Sequence, residues 1–301
     1  PNSPSQLKKA LEKKGVKLTD TSEQTLKEED RPLTTCILRY RSAKKQMEQA
    51  ETLLKAIEED GRIHARFEPA GTNTGRFSSK SPNLQNIGRG KLRHCFVPDE
   101  GNRLVVADYS QVELRVAAVI ANEERMIEAY KNGEDLHRQT ASIVLGKTST
   151  YITKEDRQLA KAVNFGLLYG QSAKGLVGYA KKAYGVEMDD ERAQDIRGRF
   201  FSAYTGLWEW HKNARKMAAE GTQSVHTVLG RKRWLPEEKD AEWFRFVALL
   251  NTPVQGGSAD ALKQAMVNLA DKLPNTASIV STVHDELIVE CASDTAEEVK
   301  A

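Results

Sequence analysis

The chain has 301 residues, 39% hydrophobic and 29% charged, which is the composition of an ordinary globular protein with a sizeable core in two or three lobes. Its 45 Lys and Arg against 42 Asp and Glu leave a net charge of +3, too small to announce a nucleic-acid binder, so any basic surface must be local. Cys36, Cys95 and Cys291 are far apart with no CxxC pair, which argues against a zinc site or a disulfide framework and for a reducing compartment; no apolar stretch suits a membrane span or a signal peptide.

In chain order, residues 1–61 read as helical and highly charged. Ser5 is placed to cap a short helix ending at Gly15, and Ser42–Asp60 carries Met47, Leu53, Leu54 and Ile57 among charges. Gly71–Gly90 is polar and turn-rich and reads as ordered loop. Arg103–Ala107 predicts a short buried strand that stops at Asp108, ahead of an amphipathic pattern carrying Val112, Val116, Val119 and Ile120. The pattern stays helical to about Gly221, and Val225–Leu235 around Gly230 predicts a hairpin. A helix over Asp240–Leu250 and another after Gly256-Gly257 come next. Ser278–Val283 and Leu287–Glu290 then read as strands joined through His284-Asp285-Glu286. No internal repeat or low-complexity tract is present.

Asp108 follows a strand and Asp285 sits in the tight connection between two others, so a fold that juxtaposes those strands brings two carboxylates together. Such a pair suits magnesium, which takes one or two carboxylates and completes its shell with water and substrate phosphates. Two ions about 3.5–4 Å apart serve phosphoryl transfer by activating the attacking oxygen and stabilising the leaving one. Each acid alone is most often just a turn former or a helix cap.

The helix after Thr153 is more telling. Thr153 reads as its N-cap and Asp156 as the capping-box acid, which fixes the register. Arg157, Lys161 and Phe165 then recur every four residues and share a stripe about 80° wide. No acid lies three or four residues from Arg157 or Lys161, so an external anion would explain them. A nucleoside triphosphate fits, with its phosphates on the cations and its base stacked on Phe165. A solvated basic face with Phe165 in the core is the competing reading. Arg89, Lys91, Arg93 and His94, like Arg231-Lys-Arg233, read as charge runs open to solvent or to phosphate. His137, one of six histidines, carries no site by itself, and His284 gains weight only from standing beside Asp285.

Together these stretches resemble family A DNA polymerases, the bacterial DNA polymerase I type, over nearly the whole chain. Asp108-Tyr-Ser-Gln-Val-Glu-Leu-Arg115 is similar to the family's motif A, Arg157-x-x-x-Lys161-x-x-Asn164-Phe165-Gly166-x-x-Tyr169-Gly170 to motif B, and Val283-His-Asp-Glu286 to motif C. Thr74-Gly-Arg76, Ser81-Pro-Asn-Leu-Gln-Asn86, Asp135-Leu-His137 and Asn251-Thr-Pro-Val-Gln255-Gly256 are supporting matches.

The resemblance implies an α+β right-hand fold with an antiparallel palm sheet (63–120 and 222–301), helical fingers (121–221) and a partial helical thumb (1–62). It implies a template-dependent DNA polymerase that extends a primer by two-metal-ion transfer, with two Mg2+ ions, or Mn2+, held by Asp108, Asp285 and the Tyr109 carbonyl, and Glu286 beside them. Gln111, Glu113, His137, Arg157, Lys161, Phe165 and Tyr169 would form the nucleotide pocket, Lys161 counting also as catalytic. Arg76, Gln255 and His284 would contact the primer end, with Asn83, Gln85 and Asn251 along the duplex. The implied partners are primer-template DNA and deoxynucleoside triphosphates, for a cytoplasmic monomer that engages no membrane.

Three departures stand out. Ile87–Arg93 is shorter than the family's usual loop and lacks its proline, so neither Arg89 nor Arg93 receives a template role. Val247 stands where the family often has an arginine, Arg245 being the nearest substitute. The chain starts within the expected thumb, ends at Ala301 without the usual terminal segment, and carries no stretch like a proofreading exonuclease, so a fragment without 3′-to-5′ editing is expected. Rival readings are an RNA polymerase of related architecture, which Glu113 opposes, a reverse transcriptase, and an accessory nucleic-acid-binding module, which has no need of the Asp108–Asp285 pair.

Overall fold

The computed structural model describes residues 3–87 and 90–300. Two compact units result, one of Pro1–Arg66 and Lys80–Phe96, the other of Phe67–Ser79 and Val97–Ala301. In the first, α1 (Pro4–Lys13), α2 (Glu23–Glu28) and α3 (Pro32–Leu54) surround a small core of Leu7, Leu11, Val16, Leu18 and Leu26, with Ile37 and Leu38 packed on it. Ser3 caps α1 in place of the expected Ser5, because Pro4 at the first helical position fixes the start two residues earlier. The helix expected over 42–60 instead begins at Pro32 and stops at Leu54, and Ile57 and Ile63 then form an isolated bridge across the Gly61 turn. Met47 and Leu54 are exposed, so the apolar stripe read there faces away from this unit's core. Leu84–Asn86 is one 3-10 turn, capped by the Asn83 side chain accepting from the Gln85 N–H.

The second unit holds the sheet and most helices. β1 (Arg66–Glu68) and β2 (Ser78–Lys80) form a two-stranded sheet. β3 (Asn102–Asp108) leads into α4 (Val112–Ile120), α5 (Glu124–Lys131), α6 (Leu136–Leu145), α7 (Lys154–Leu168), α8 (Ala173–Tyr184), α9 (Asp190–Ala203) and α10 (Thr205–Ala219). These helices bury Leu114, Met126, Leu136, Val163, Leu167, Leu176, Ile196, Phe200, Tyr204 and Leu207 in one core, each side chain contributing about 1.5–3 kcal/mol of burial. Their starts follow the expected chemistry. Asp135 accepts from the N–H groups of His137 and Arg138, and Thr153 with Asp156 forms the capping box.

The hairpin of β4 (Ser224–His226) and β5 (Lys232–Trp234) precedes α11 (Glu242–Asn251), a π-helical turn at Thr252–Gly256, and α12 (Gly257–Ala270). β6 (Ala277–Val283) and β7 (Glu286–Ala292) follow, then α13 (Ala296–Lys300). The sheet order is β3-β7-β6, antiparallel throughout, so β7 is central and buries Leu287, Val289 and Cys291. β3 is thus an edge strand and not the fully buried strand its apolar run suggested; Val106 is exposed.

Arg245, the nearest substitute for the family's arginine, is engaged with backbone carbonyls. It is buried on α11, where Nε donates to the Ala218 carbonyl at 2.9 Å and Nη1 to the carbonyls of Pro236 and Glu238 at 3.1 and 2.7 Å. The guanidinium thus satisfies three backbone acceptors from inside the fold. Arg245→Met, which keeps the stem and removes the donors, should cost about 2–4 kcal/mol and lower the melting temperature by several degrees. An unchanged thermal melt would show that those carbonyls have other partners.

Candidate active site

The sheet delivers the two carboxylates. In the β3–β7 ladder Asp108 is paired with Glu286, and one residue on the Tyr109 N–H donates to the Asp285 carbonyl at 3.3 Å. The β6–β7 turn is only His284-Asp285, closed by the Val283–Glu286 pair. Asp108, the last residue of β3, and Asp285, in the turn that leads into β7, thus lie at one end of the sheet. The backbone is strained on both sides of them. His284 has φ +59°, and Gln111, just before α4, has φ 55° and ψ 35°, left-handed values that favour glycine. Gln111 is held by the Tyr130 hydroxyl, which donates to its Oε1 at 3.2 Å, and Arg115 covers the Tyr130 ring at 4.1 Å while its Nε donates to the Ser110 carbonyl.

Glu113, on the first turn of α4, is the meeting point of four segments. Arg76 forms an ion pair with Oε1, the Tyr169 hydroxyl donates to Oε2, and the Gln255 side chain bonds that same hydroxyl. Burial, then the adjacent Glu113 charge, pushes the Tyr169 hydroxyl well above its ordinary pKa, so it remains a donor. The fixed geometry comes from the end of α7, where Gly170 at φ +82° packs so closely on Phe246 that a Cβ would lie 2.7 Å from the ring.

On α7 the predicted stripe is present, but Arg157 is not without an acid. Its Nε donates to Asp135 Oδ2 at 2.6 Å, a partner 22 residues away that no helical spacing reveals. Both side chains are substantially exposed, 44% and 36%, and an ion pair at such a site contributes little and exchanges readily. Burial acts to raise the Asp135 pKa, but the Arg157 hydrogen bond and the Arg138 N–H bring it below its ordinary value. Lys161 has no ion-pair partner among the described residues and lies 5.8 Å from the Tyr184 ring centroid. Phe165 is half-buried, its ring 6.0 Å from that of His137.

His137 is 3% exposed and belongs to a buried polar chain. Tyr204 and Thr140 are bonded at 2.8 Å, the Thr140 hydroxyl donates to Asn164 Oδ1 at 3.1 Å, and Asn164 Nδ2 lies 2.9 Å from His137 Nδ1. Each member orients the next, leaving the His137 Nδ1 as acceptor and its proton on Nε2. Asn164 was visible only as a motif letter; its role needs three helices in place. Arg231 and Arg233, expected to be open to solvent or to phosphate, have partners within the fold. Arg231 bonds Asp260 and the Thr74 carbonyl, and Arg233 bonds the Thr252 hydroxyl, while Lys232 is exposed over the Trp234 ring. Asn83 and Gln85 belong to the other compact unit, Asn83 exposed and Gln85 half-buried. Asn251 ends α11 immediately before the π-helical turn, and Gln255 lies within that turn. Arg89 lies outside the described residues.

The family model for DNA polymerase family A matches residues 1–301. The chain belongs to that family. It is 42% identical over 313 residues to DNA polymerase I of Aquifex aeolicus, covering 100% of this chain and 53% of that protein. To DNA polymerase I of Pseudomonas aeruginosa it is 38% identical over 293 residues, 91% of this chain and 31% of that one. The chain therefore spans about half, or less, of the length of these relatives. Among solved structures, the POL domain of Pol1 from M. smegmatis in complex with DNA primer-template and dNTP superposes with a TM-score of 0.89 at 32% identity, covering 99% of this chain and 56% of that one. The family's α+β architecture, expected from the three motifs, is the architecture found. No helix among the described residues is long and apolar enough to cross a membrane.

Two buried histidines give the fold a pH dependence. Burial, then the Arg157 charge, pushes His137 down to about 4, and burial likewise pushes His211 down to about 4. Both are neutral in the folded chain and take protons near pH 6.5 once unfolded, so their contribution is complete above 6.5 and is lost as pH falls towards 4. Each adds a slope of at most about 1.4 kcal/mol per pH unit in that window. Urea midpoints from pH 7 to 5 should fall in the parent chain, and about half as steeply in His211→Gln. Equal slopes in both would remove His211 from the account.

Proposed function

We propose that this chain is the polymerase core of a DNA polymerase, adding deoxynucleotides to a primer 3′ end on a DNA template. The reading is carried by one observation: the β3–β7 register sets Asp108 and Asp285 side by side at the end of the sheet whose flanks are strained. The named ligands of the M. smegmatis neighbour, DNA primer-template and dNTP, support the same substrates here. In this reading 63–120 and 222–301 serve as palm, 121–221 as fingers and 1–62 as part of the thumb. Because the polymerase family model accounts for residues 1–301, we assign no proofreading to this chain.

The donor set fits magnesium. Asp108 is exposed, Asp285 half-buried, and both offer hard oxygen, as does the Tyr109 carbonyl. Among the described residues no three His, Cys, Asp or Glu side chains group into a cage, so phosphate and water oxygens would complete the shell. The chemistry supplied by two such ions is activation of the primer 3′ hydroxyl and stabilisation of the departing pyrophosphate. The chain's own groups do the rest. Arg157 would leave its weakly held partner Asp135 and donate to the triphosphate, Lys161 would offer a second cation, and Phe165 would stack on the base. His137 is neutral and would donate from Nε2 once movement of α7 uncovers it.

Asp108→Ala and Asp285→Ala should each abolish primer extension while leaving primer-template binding largely intact, because phosphate contacts come from other residues. Near-normal extension by either variant would remove that aspartate from the site.

The position of Glu113, five residues beyond Asp108 and fixed by Arg76 and Tyr169, suits it to exclude a sugar 2′-hydroxyl. Glu113→Ala should raise ribonucleotide incorporation about a hundredfold relative to deoxynucleotides if ~3 kcal/mol is at stake. Glu113→Gln keeps the bulk and should retain most of the selectivity. Single-nucleotide kinetics with both sugars on one template measures this, and an unchanged ratio in the alanine variant would end the gate reading.

A further inference from the structure

Arg231 leads the β5 strand from a tight turn in which its N–H donates to Thr227 Oγ1 at 3.0 Å and its carbonyl accepts from the Thr227 N–H at 3.0 Å. Its guanidinium reaches two elements at once. Nε donates to Asp260 Oδ1 on α12 at 3.1 Å, and Nη2 donates to the Thr74 carbonyl at 2.6 Å. Two glycines are fitted to it. A Cβ on Gly75 would lie 2.3 Å from the guanidinium carbon, and a Cβ on Gly256 would lie 2.4 Å from Nη2. Gly75 immediately precedes Arg76, and Gly256 immediately follows Gln255. One planar group thus fills the space between the two backbone segments that carry Arg76 to Glu113 and Gln255 to Tyr169.

We propose that Arg231 is a positioning residue for sugar selection, tying the Thr74–Arg76 loop to the π-helical turn so that Arg76 and Gln255 hold Glu113 and Tyr169 in place. The proposal rests on the polymerase reading above. The geometry asks for arginine: a carboxylate and a carbonyl on different elements are bridged by a planar fork, whereas a lysine ammonium reaches one of them. Together with Thr227 Cγ2, which a Cβ there would approach to 2.6 Å, it also accounts for glycine at 256, where φ −68° is ordinary helix and backbone conformation alone would accept alanine.

The test uses the full chain with Arg231→Gln, Arg231→Lys and Gly256→Ala. Efficiencies for one deoxynucleotide and its ribonucleotide are measured on one primer-template, alongside amide hydrogen exchange at residues 72–76. Arg231→Gln and Gly256→Ala should each lower the deoxy-to-ribo ratio at least about tenfold, keep deoxynucleotide turnover within about tenfold of the parent, and speed exchange in the loop, with Arg231→Lys in between. Gly256→Ala retains Arg231 while its methyl, 2.4 Å from Nη2 and 2.6 Å from Thr227 Cγ2, pushes on both, and a thermal melt of each variant separates lost positioning from lost stability. A parental ratio in both Arg231→Gln and Gly256→Ala overturns the proposal. If the parent incorporates no nucleotide, the polymerase reading fails first, and parental exchange at 72–76 in Arg231→Gln then removes the tie itself.

Discussion

A carboxylate that is mostly shielded from water must be compensated where it sits, and Glu113, 15% exposed, is compensated by groups 37 and 56 residues distant. Arg76 brings the charge and Tyr169 the second donor, so the loop before β2, the first turn of α4 and the end of α7 are located against one another by one side chain. Losing Arg76 would leave the charge unpaired and losing Tyr169 would leave one carboxylate oxygen without its donor, which is why the cluster behaves as one arrangement and not as separate contacts. Because α4 starts only four residues after Asp108, the same cluster fixes how α7 stands to the acidic end of the sheet.

Register carries the rest. In an antiparallel ladder a one-residue slip sends every side chain to the opposite face, and here it would separate Asp108 from the turn that presents Asp285. The slip is resisted because β7 is central and alternates Leu287, Val289 and Cys291 into the interior. A hydrophobic pattern therefore sets the place of a hydrophilic pair. On the helical side, the chain from Tyr204 through Thr140 and Asn164 to His137 does likewise: a network satisfied at each link aims one imidazole and settles its tautomer.

The elements governed by local chemistry were legible in sequence. The Thr153–Asp156 capping box, the β4–β5 hairpin and the strand ending at Asp108 are where their residues predict them. Position 3 replaced position 5 as the first cap because proline decides a helix start more strongly than a serine two residues on. What escaped was non-local. Asp135 meets Arg157 through the packing of α6 on α7, and Arg231 meets Thr74 across 157 residues, separations that periodicity does not address. The same limit explains Arg245: sequence offered it only as the nearest substitute for a family arginine, while three carbonyls from two segments make it interior. The apolar run of β3 implied burial on both faces, but whether a strand is central or at an edge depends on partners that sequence does not order.

Strain at the acidic end follows from these ties. Gln111 and His284 hold left-handed backbone that glycine would adopt freely, at a cost of about 1–3 kcal/mol each, and neither position is glycine. At Gln111 the side chain itself holds the conformation, since the amide accepts from Tyr130 and Tyr130 is in turn covered by Arg115. Arg115 closes the loop by bonding the Ser110 carbonyl, so the bend between β3 and α4 is held from its own first helical turn. At His284 the turn has only two residues between paired strands, so the ladder determines the conformation and the side chain is left exposed. The two strained residues differ in purpose for that reason. Gln111 uses its side chain to keep the backbone bent, whereas at His284 the bent backbone is a consequence of register and the imidazole remains available to whatever lies beside Asp285.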